Sequence, residues 1–283
     1  MNSITIRPAV LEDHDALHAL INSSAYVHRH LDWRDTLDWL GNSPFWVMEE
    51  NQQIVAALAC PCDPPDIAWV RLFACASWLP LQETWESLIA RCIQQFTHPP
   101  RPLLASLALR DWYEHLLEHS SFQHYQDIVV LAYRPLHPIP GEKVDGIQIR
   151  QMNSADLIQV AELDHLAFEP LWQLSLTDLT QAFQRGSYCT VAEIEGKIIG
   201  YQMSSLNGLF AHLSRLAVQP DLQRRKIGTQ LVNDLLLYFL EEESVWEVTV
   251  NTQNTNTSSL ALYKKLGFEL TGESFPVFIS KLD

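Results

Sequence analysis

The sequence predicts an α/β (α+β) protein built from two copies of one unit, each a mixed, mostly antiparallel sheet flanked by helices. Three observations predict this. The chain opens twice in the same way, with ITIRPAVLEDHDALHALI from Ile4 and IQIRQMNSADLIQVAELD from Ile147. A proline-rich segment, Tyr133 to Gly146, lies between the copies. It reads as a linker, because proline removes a backbone donor and favours extended chain. Thirdly, RLAVQPDLQRRKIGTQLVNDLLLYFL reads as a strand, a basic glycine-containing loop and a helix, and only the second copy has it. The expected boundaries are 1–135 for the first domain, 136–146 for the linker and 147–283 for the second domain.

Each copy begins with a short alternating strand ending in Arg, an acidic N-cap region and an amphipathic helix. A hairpin with a polar turn follows, Phe45 to Ala59 in the first copy and Cys189 to Met203 in the second, the latter turning at Glu195-Gly196. The next strand is VRLFACA (Val70 to Ala76), matched by SRLAVQP (Ser214 to Pro220), with 144 residues from Arg71 to Arg215. After it, Ile227, Leu231, Leu235 and Tyr238 recur at helical spacing. WYEHLLEHSSF (Trp112 to Phe122) resembles LYKKLGF (Leu262 to Phe268), with 150 residues from Tyr113 to Tyr263. The near-constant offset points to an internal duplication.

Composition narrows the function classes. A hydrophobic content of 47% over 283 residues is that of a folded protein with one large domain or two ordinary ones. No apolar run approaches the roughly eighteen residues that cross a bilayer, so no membrane role is expected. The start, MNSITIRPAV, lacks a basic region followed by an apolar run, and a cytoplasmic address is expected. A net charge of −15 repels nucleic acid and leans towards a cationic small partner. The five cysteines read as free, mostly buried thiols, since Cys60 and Cys62 lack a second ligand pair at zinc spacing. The eleven histidines read as scattered, without HExxH or a similar helical pair, and no metal is expected.

The strand Ala211 to Val218 feeds the turn Gln219-Pro220-Asp221 and then the loop Gln223 to Gly228. A loop of this kind sets backbone N–H groups at a helix N-terminus, which accepts phosphate. At these residues the chain resembles the GNAT (GCN5-related N-acetyltransferase) superfamily. That family's acetyl-CoA signature is Gln/Arg-x-x-Gly-x-Gly/Ala, and QRRKIG fits it except that Lys226 stands at the first glycine. NTSSLALYKKLGF (Asn256 to Phe268) resembles the family's second cofactor-contacting segment. The resemblance runs from about Ile147 to the C-terminus and implies two tandem GNAT-like domains, the first degenerate.

The resemblance implies transfer of an acetyl group from acetyl-CoA to a primary amine by direct attack. The loop residues Gln223, Arg224, Arg225, Lys226, Ile227, Gly228 and Thr229 would hold the pyrophosphate through backbone amides. Leu216, Ala217 and Val218 would lie beside the pantetheine and acetyl group, one amide polarising the thioester carbonyl. Tyr263 would contact the cofactor and protonate the departing thiolate; the alternative for it is a packing residue that covers the sheet. Asn256 would touch the pantetheine arm, or cap a helix. LFAHLSRLAV carries no carboxylate, which leaves His212 and, in AFEPLW, Glu169 as candidate bases. Phe168 and Trp172 would line the acceptor pocket or belong to the core. The acceptor would be an amine-bearing small molecule or a protein N-terminus. The chain would be a monomer, as an internal pseudo-dimer, or a homodimer. The alternative is a non-catalytic acyl-CoA-binding regulatory or scaffold protein.

Lys226 at a glycine position implies a left-handed backbone costing on the order of 1 kcal/mol, set against a cation added beside a diphosphate. The first copy has Leu79-Pro80-Leu81-Gln82 at the corresponding place, without glycine or basic residue, and with Trp78 and Trp85 nearby. It is expected not to bind acetyl-CoA.

Overall fold

The computed structural model describes residues 4–97, 99–134 and 146–282. Apart from Gly146, the expected linker 136–146 lies outside the described residues. Two compact units form: Met1–Gln126 with Phe275–Asp283, and Asp127–Ser274. This is not the same partition as the two sequence halves. The last strand of each half is divided, and its far end belongs to the other unit.

Unit 1 contains β1 (Ile4–Pro8), α1 (His14–Ser23), β2 (Tyr26–Arg29), β3 (Phe45–Glu50), β4 (Gln53–Ala59), β5 (Ile67–Trp69) and β6 (Leu72–Cys75). It continues through α2 (Leu81–Gln95), β7 (Leu103–Leu107), α3 (Asp111–Glu118) and the start of β8 (Gln123–Tyr133). One sheet has the order β1-β3-β4-β6-β2. Beside it β5 runs parallel to β7, and β7 pairs antiparallel with Val277–Ser280 of the last strand, β14 (Glu269–Ser280). Alternation along β4 serves both faces. Ala57 and Ala59 join the α1 core with Leu17, Leu20 and Ile21, whereas Ala56 and Leu58 join the α2 core with Trp85 and Leu88.

Unit 2 contains β9 (Gln148–Gln151), α4 (Leu157–Ala167), α5 (Leu176–Arg185), β10 (Tyr188–Ile194), β11 (Lys197–Asn207) and β12 (Phe210–Val218). Then come α6 (Ile227–Leu237), β13 (Glu247–Gln253), α7 (Thr257–Lys265) and the start of β14. The strand order is β9-β10-β11-β12-β13-β8-β14. All neighbours with a described register are antiparallel except β12 and β13, which run parallel. Leu213, Val248 and Val250 pack with Leu235, Leu236 and Tyr263 on one face, and α4 lies on the other with Asp164 against Tyr201.

The duplication is visible in side-chain detail. Arg7 forks onto Asp13 at 2.7 and 2.8 Å and reaches Glu49 at 2.6 Å. Arg150 forks onto Asp156 at 2.7 and 2.9 Å and reaches Glu193 at 2.9 Å. In each case the same Asp accepts a backbone N–H at 2.8 Å, from Val10 or Asn153. The two hairpins both turn through two residues of positive φ, Asn51-Gln52 and Glu195-Gly196, as two-residue loops between twisted strands require. Both also carry an irregularity just before the turn, at Met48/Glu49 and Ala192/Glu193.

Candidate active site

In unit 2 the central strand parts from its neighbour. β12 pairs with β13 only from Phe210↔Glu247 to Leu213↔Val250, yet β12 continues to Val218 and β13 to Gln253. The register between β11 and β12 slips between Met203/Ser204, which leaves Ser214 as an extra residue in β12 and bends that strand. Beyond the bulge, Gln219 donates to Ile199 O at 2.8 Å. Backbone groups alternate along a strand, so Ala217 also faces β11 while Leu216 and Val218 turn their N–H groups to the open side. The carbonyl of Val218 accordingly meets Gln223 Nε2 at 3.4 Å. The side chains of Leu216 and Val218 are half-buried beneath α6, and Ala217 is buried on the α4 face.

The loop closes one end of this opening. Pro220–Leu222 forms a 3-10 turn, and α6 starts at Ile227. Lys226 is left-handed (φ 63°, ψ 9°), as its glycine-like position requires, and Arg224 is left-handed too (φ 63°). Alternating signs of φ turn successive N–H groups towards one hollow, a nest suited to an anion. Ile227, Gly228 and Thr229 add the first-turn N–H groups that no helix satisfies internally, and no side chain caps this end. Gln223, Arg224, Arg225 and Lys226 are exposed, while Ile227 is buried and anchors the helix. A Cβ on Gly228 would meet Leu262 Cδ2 at 3.3 Å and Val218 Cγ2 at 3.7 Å, so glycine here lets α6, α7 and the end of β12 converge.

Tyr263 on α7 is only 4% exposed and shares an apolar cluster with Leu216 and Leu262. Its ring lies 5.6 Å from that of Phe268. Burial pushes its phenol pKa up, and its hydroxyl has no hydrogen-bond partner among the described residues. Asn256 caps α7, its Oδ1 accepting from Ser259 N at 3.1 Å. His212 lies where β12 and β13 are still paired, with Nδ1 2.8 Å from Thr249 Oγ1, and burial lowers its pKa. Glu169 is exposed on the segment between α4 and α5, and its carboxylate has no partner among the described residues. The structure thus brings together Leu216, Val218, Gly228 and Tyr263; His212 and Glu169 stand apart from that group.

A buried cluster next to this opening has no counterpart in the sequence reading. Arg215 gives Nε to Asp164 Oδ2 at 2.8 Å and donates to the carbonyl of Trp172. Its guanidinium lies 3.6 Å from the centre of the Phe168 ring, while Trp172 meets it through its backbone carbonyl, and both residues are half-buried. Tyr201 donates to the same Asp164 oxygen, and Leu174 N–H gives to Oδ1 at 2.9 Å. Asp164 is completely buried. The sequence signal was a lone Asp at an apolar position of α4, where α1 has Ile21.

Unit 1 differs at each of these places. The single strand β12 is there split into β5 and β6, and β6 lies between β4 and β2, with Tyr26↔Cys75 and His28↔Phe73 paired. Through β4, whose pairing matches that of β11, Leu72 takes the register of Arg215, and Phe73 and Cys75 those of Leu216 and Val218. The sequence match of Arg71 to Arg215 is therefore one residue off in register. Phe73 and Cys75 spend on β2 the backbone groups that Leu216 and Val218 leave open. No residue from Ala76 to Leu81 has positive φ, and α2 begins directly after Pro80. Tyr113 is fully buried, 2.8 Å from Ser106 Oγ and stacked on His28 at 3.9 Å.

Two further expectations concern thiols and histidines. All five cysteines are free, four of them buried. The histidines do include a helical pair: His115 and His119, with Glu118, bring ligand atoms within 4.8 Å on the exposed end of α3. The i,i+4 spacing is present in EHLLEH.

Known proteins resemble this chain in sequence and in fold. Residues 157–268 match the Acetyltransferase (GNAT) family. An uncharacterised N-acetyltransferase of Methanocaldococcus jannaschii is 27% identical over 121 residues, 42% of this chain and 76% of that protein. An N-alpha-acetyltransferase of Sulfurisphaera tokodaii is 26% identical over 135 residues, 43% of this chain and 80% of that protein. Human N-acetyltransferase 8 is 32% identical over 108 residues, 35% of this chain, and the match spans only 47% of that protein. Over the whole chain, a tandem GNAT protein from the clavulanic acid biosynthesis pathway superposes with TM-score 0.66 at 16% identity, covering 99% of this chain and 98% of that one. A GCN5-related N-acetyltransferase from Kribbella flavida gives 0.70 at 11% identity, covering 98% and 71%. At such identities the likeness shows the fold.

Proposed function

We infer that this chain, a protein of tandem GNAT fold whose second unit matches the GNAT acetyltransferases, is an acetyl-CoA-dependent N-acetyltransferase with one active groove, in unit 2. The observation that carries the reading is the open edge of β12 beyond Leu213, which ends in the nest Arg224–Thr229. The edge offers Leu216 and Val218 N–H groups to a pantetheine and thioester, and the nest offers amides and three cations to a diphosphate.

Acetyl-CoA supplies the activated acyl group. In the reading, the Leu216 or Val218 amide holds the negative charge that grows on the thioester oxygen as the amine nitrogen attacks the carbonyl carbon. The C–S bond breaks, and Tyr263 gives its proton to the departing thiolate. Burial keeps this phenol protonated until then. The amine loses its proton to water or to a side chain. His212 is held neutral by burial and can accept it, and Glu169 is a free carboxylate on the acceptor side. The acidic surface favours a cationic amine, a small molecule or a protein N-terminus.

The test is transfer from radiolabelled acetyl-CoA to a panel of amines, with Tyr263→Phe beside the wild type. The expected result is transfer by the wild type and a loss of about 10²–10⁴-fold in the variant, with acetyl-CoA affinity unchanged. Binding of acetyl-CoA without transfer to any amine would favour the non-catalytic reading.

A further inference from the structure

We propose that Arg215, with Asp164 and Tyr201, is a positioning device that holds the acceptor-side segment Phe168–Leu174 off the open edge of β12. The proposal deepens the reading above, because an open edge is what an acyl-CoA would need. Its evidence is a comparison within the chain. The segment that follows the first helix occurs in both units, and in unit 1 it has gone into the edge. There, Tyr26–Arg29 is strand β2, paired with Leu72–Cys75. In unit 2 the corresponding residues form the 3-10 turn Pro170–Trp172 instead.

The residues that differ are those that hold the segment. Arg215 gives one donor to the Trp172 carbonyl and covers the Phe168 ring at 3.6 Å. Asp164 neutralises Arg215 and also fixes Leu174 N–H at 2.9 Å. Both ends of the segment are thus tied to one buried ion pair. In unit 1 the counterparts by register and helix phase are Leu72 for Arg215, Ile21 for Asp164 and Ala57 for Tyr201. All three belong to a single apolar core and offer no hydrogen bond to a chain above them. In the same helix phase, Pro170 stands where Val27 stands, within β2.

Hydrogen exchange on the full chain tests this without any cofactor. In the wild type the Leu216 and Val218 amides should exchange fast and the Leu174 amide slowly. A variant carrying the unit 1 residues, Asp164→Ile with Pro170→Val, Tyr201→Ala and Arg215→Leu, should slow Leu216 and Val218 by about tenfold or more while α6 amides keep their protection. It should also lose acetyl-CoA binding in a titration. Fast exchange of Leu216 and Val218 in that variant, with α6 still protected, would overturn the proposal. Should the fourfold variant not fold, Tyr201→Phe removes one hydroxyl from the cluster. It should speed Leu174 exchange about threefold or more, and unchanged exchange would equally overturn the proposal. A wild type that exchanges as expected but binds no acetyl-CoA would refute the functional reading and leave the device standing.

Discussion

Single residues in this chain are placed against their usual preferences. Lys226 and Arg224 sit left-handed, at a cost of about 1–2 kcal/mol each. That strain turns backbone amides into a nest, which ordinary helix entry would not provide. His28 shows the opposite economy. It is buried against Tyr113, with Nε2 3.1 Å from Val70 O, and burial pulls its pKa from 6.5 down to about 4. The folded state therefore holds His28 neutral where an unfolded chain would protonate it. Its contribution to stability is complete above about pH 6.5 and is lost as pH falls towards 4. Half-buried His30 is shifted in the same direction by desolvation and by nearby Arg71. Thermal melting across that range should show a falling midpoint in the wild type and a shallower fall in His28→Phe; parallel curves would count against this account. Residue by residue, the glycine-like position of Lys226 was legible from its spacing to Gly228. The left-handed Arg224 was not, because an arginine between two polar residues carries no mark of positive φ.

At the scale of elements, what a segment does depends on what it meets. Asn256 caps α7 by accepting from Ser259 N. Asn256→Ala should cost about 1 kcal/mol in a denaturant melt, and a fall in acetyl-CoA affinity beyond what that loss explains would give Asn256 a contact with the pantetheine arm. Hairpins, first helices and the strand–loop–helix of unit 2 were legible, because alternation, polar turns and helical spacing are local signals. YVHR was not legible as a strand, since four residues carry little periodicity and its pairing with β6 is tertiary. The Asp164–Arg215 pair joins residues 51 apart, so no local pattern could announce it. Removing one partner of such a buried pair costs about 3–5 kcal/mol, which fits its use as a fixed anchor rather than a surface contact.

For the whole molecule, duplication explains the likeness of the two units and the places where they diverge. The ion clusters of Arg7 and Arg150 preserve the common plan, while the strand edge has diverged. In unit 1 the chain satisfies its own edge with β2; in unit 2 the edge is left open and ends at an anion nest. The crossing of β8 and β14 between units escaped the sequence, because a strand's composition does not name its partner. The central claim is that one groove, not two, accepts acetyl-CoA. Calorimetric titration of the full chain with acetyl-CoA tests it most directly. The account predicts a single site per chain, weakened by charge reversal at Arg224 and Arg225 and untouched by His28→Phe. Two sites per chain, or no binding at all, would contradict it.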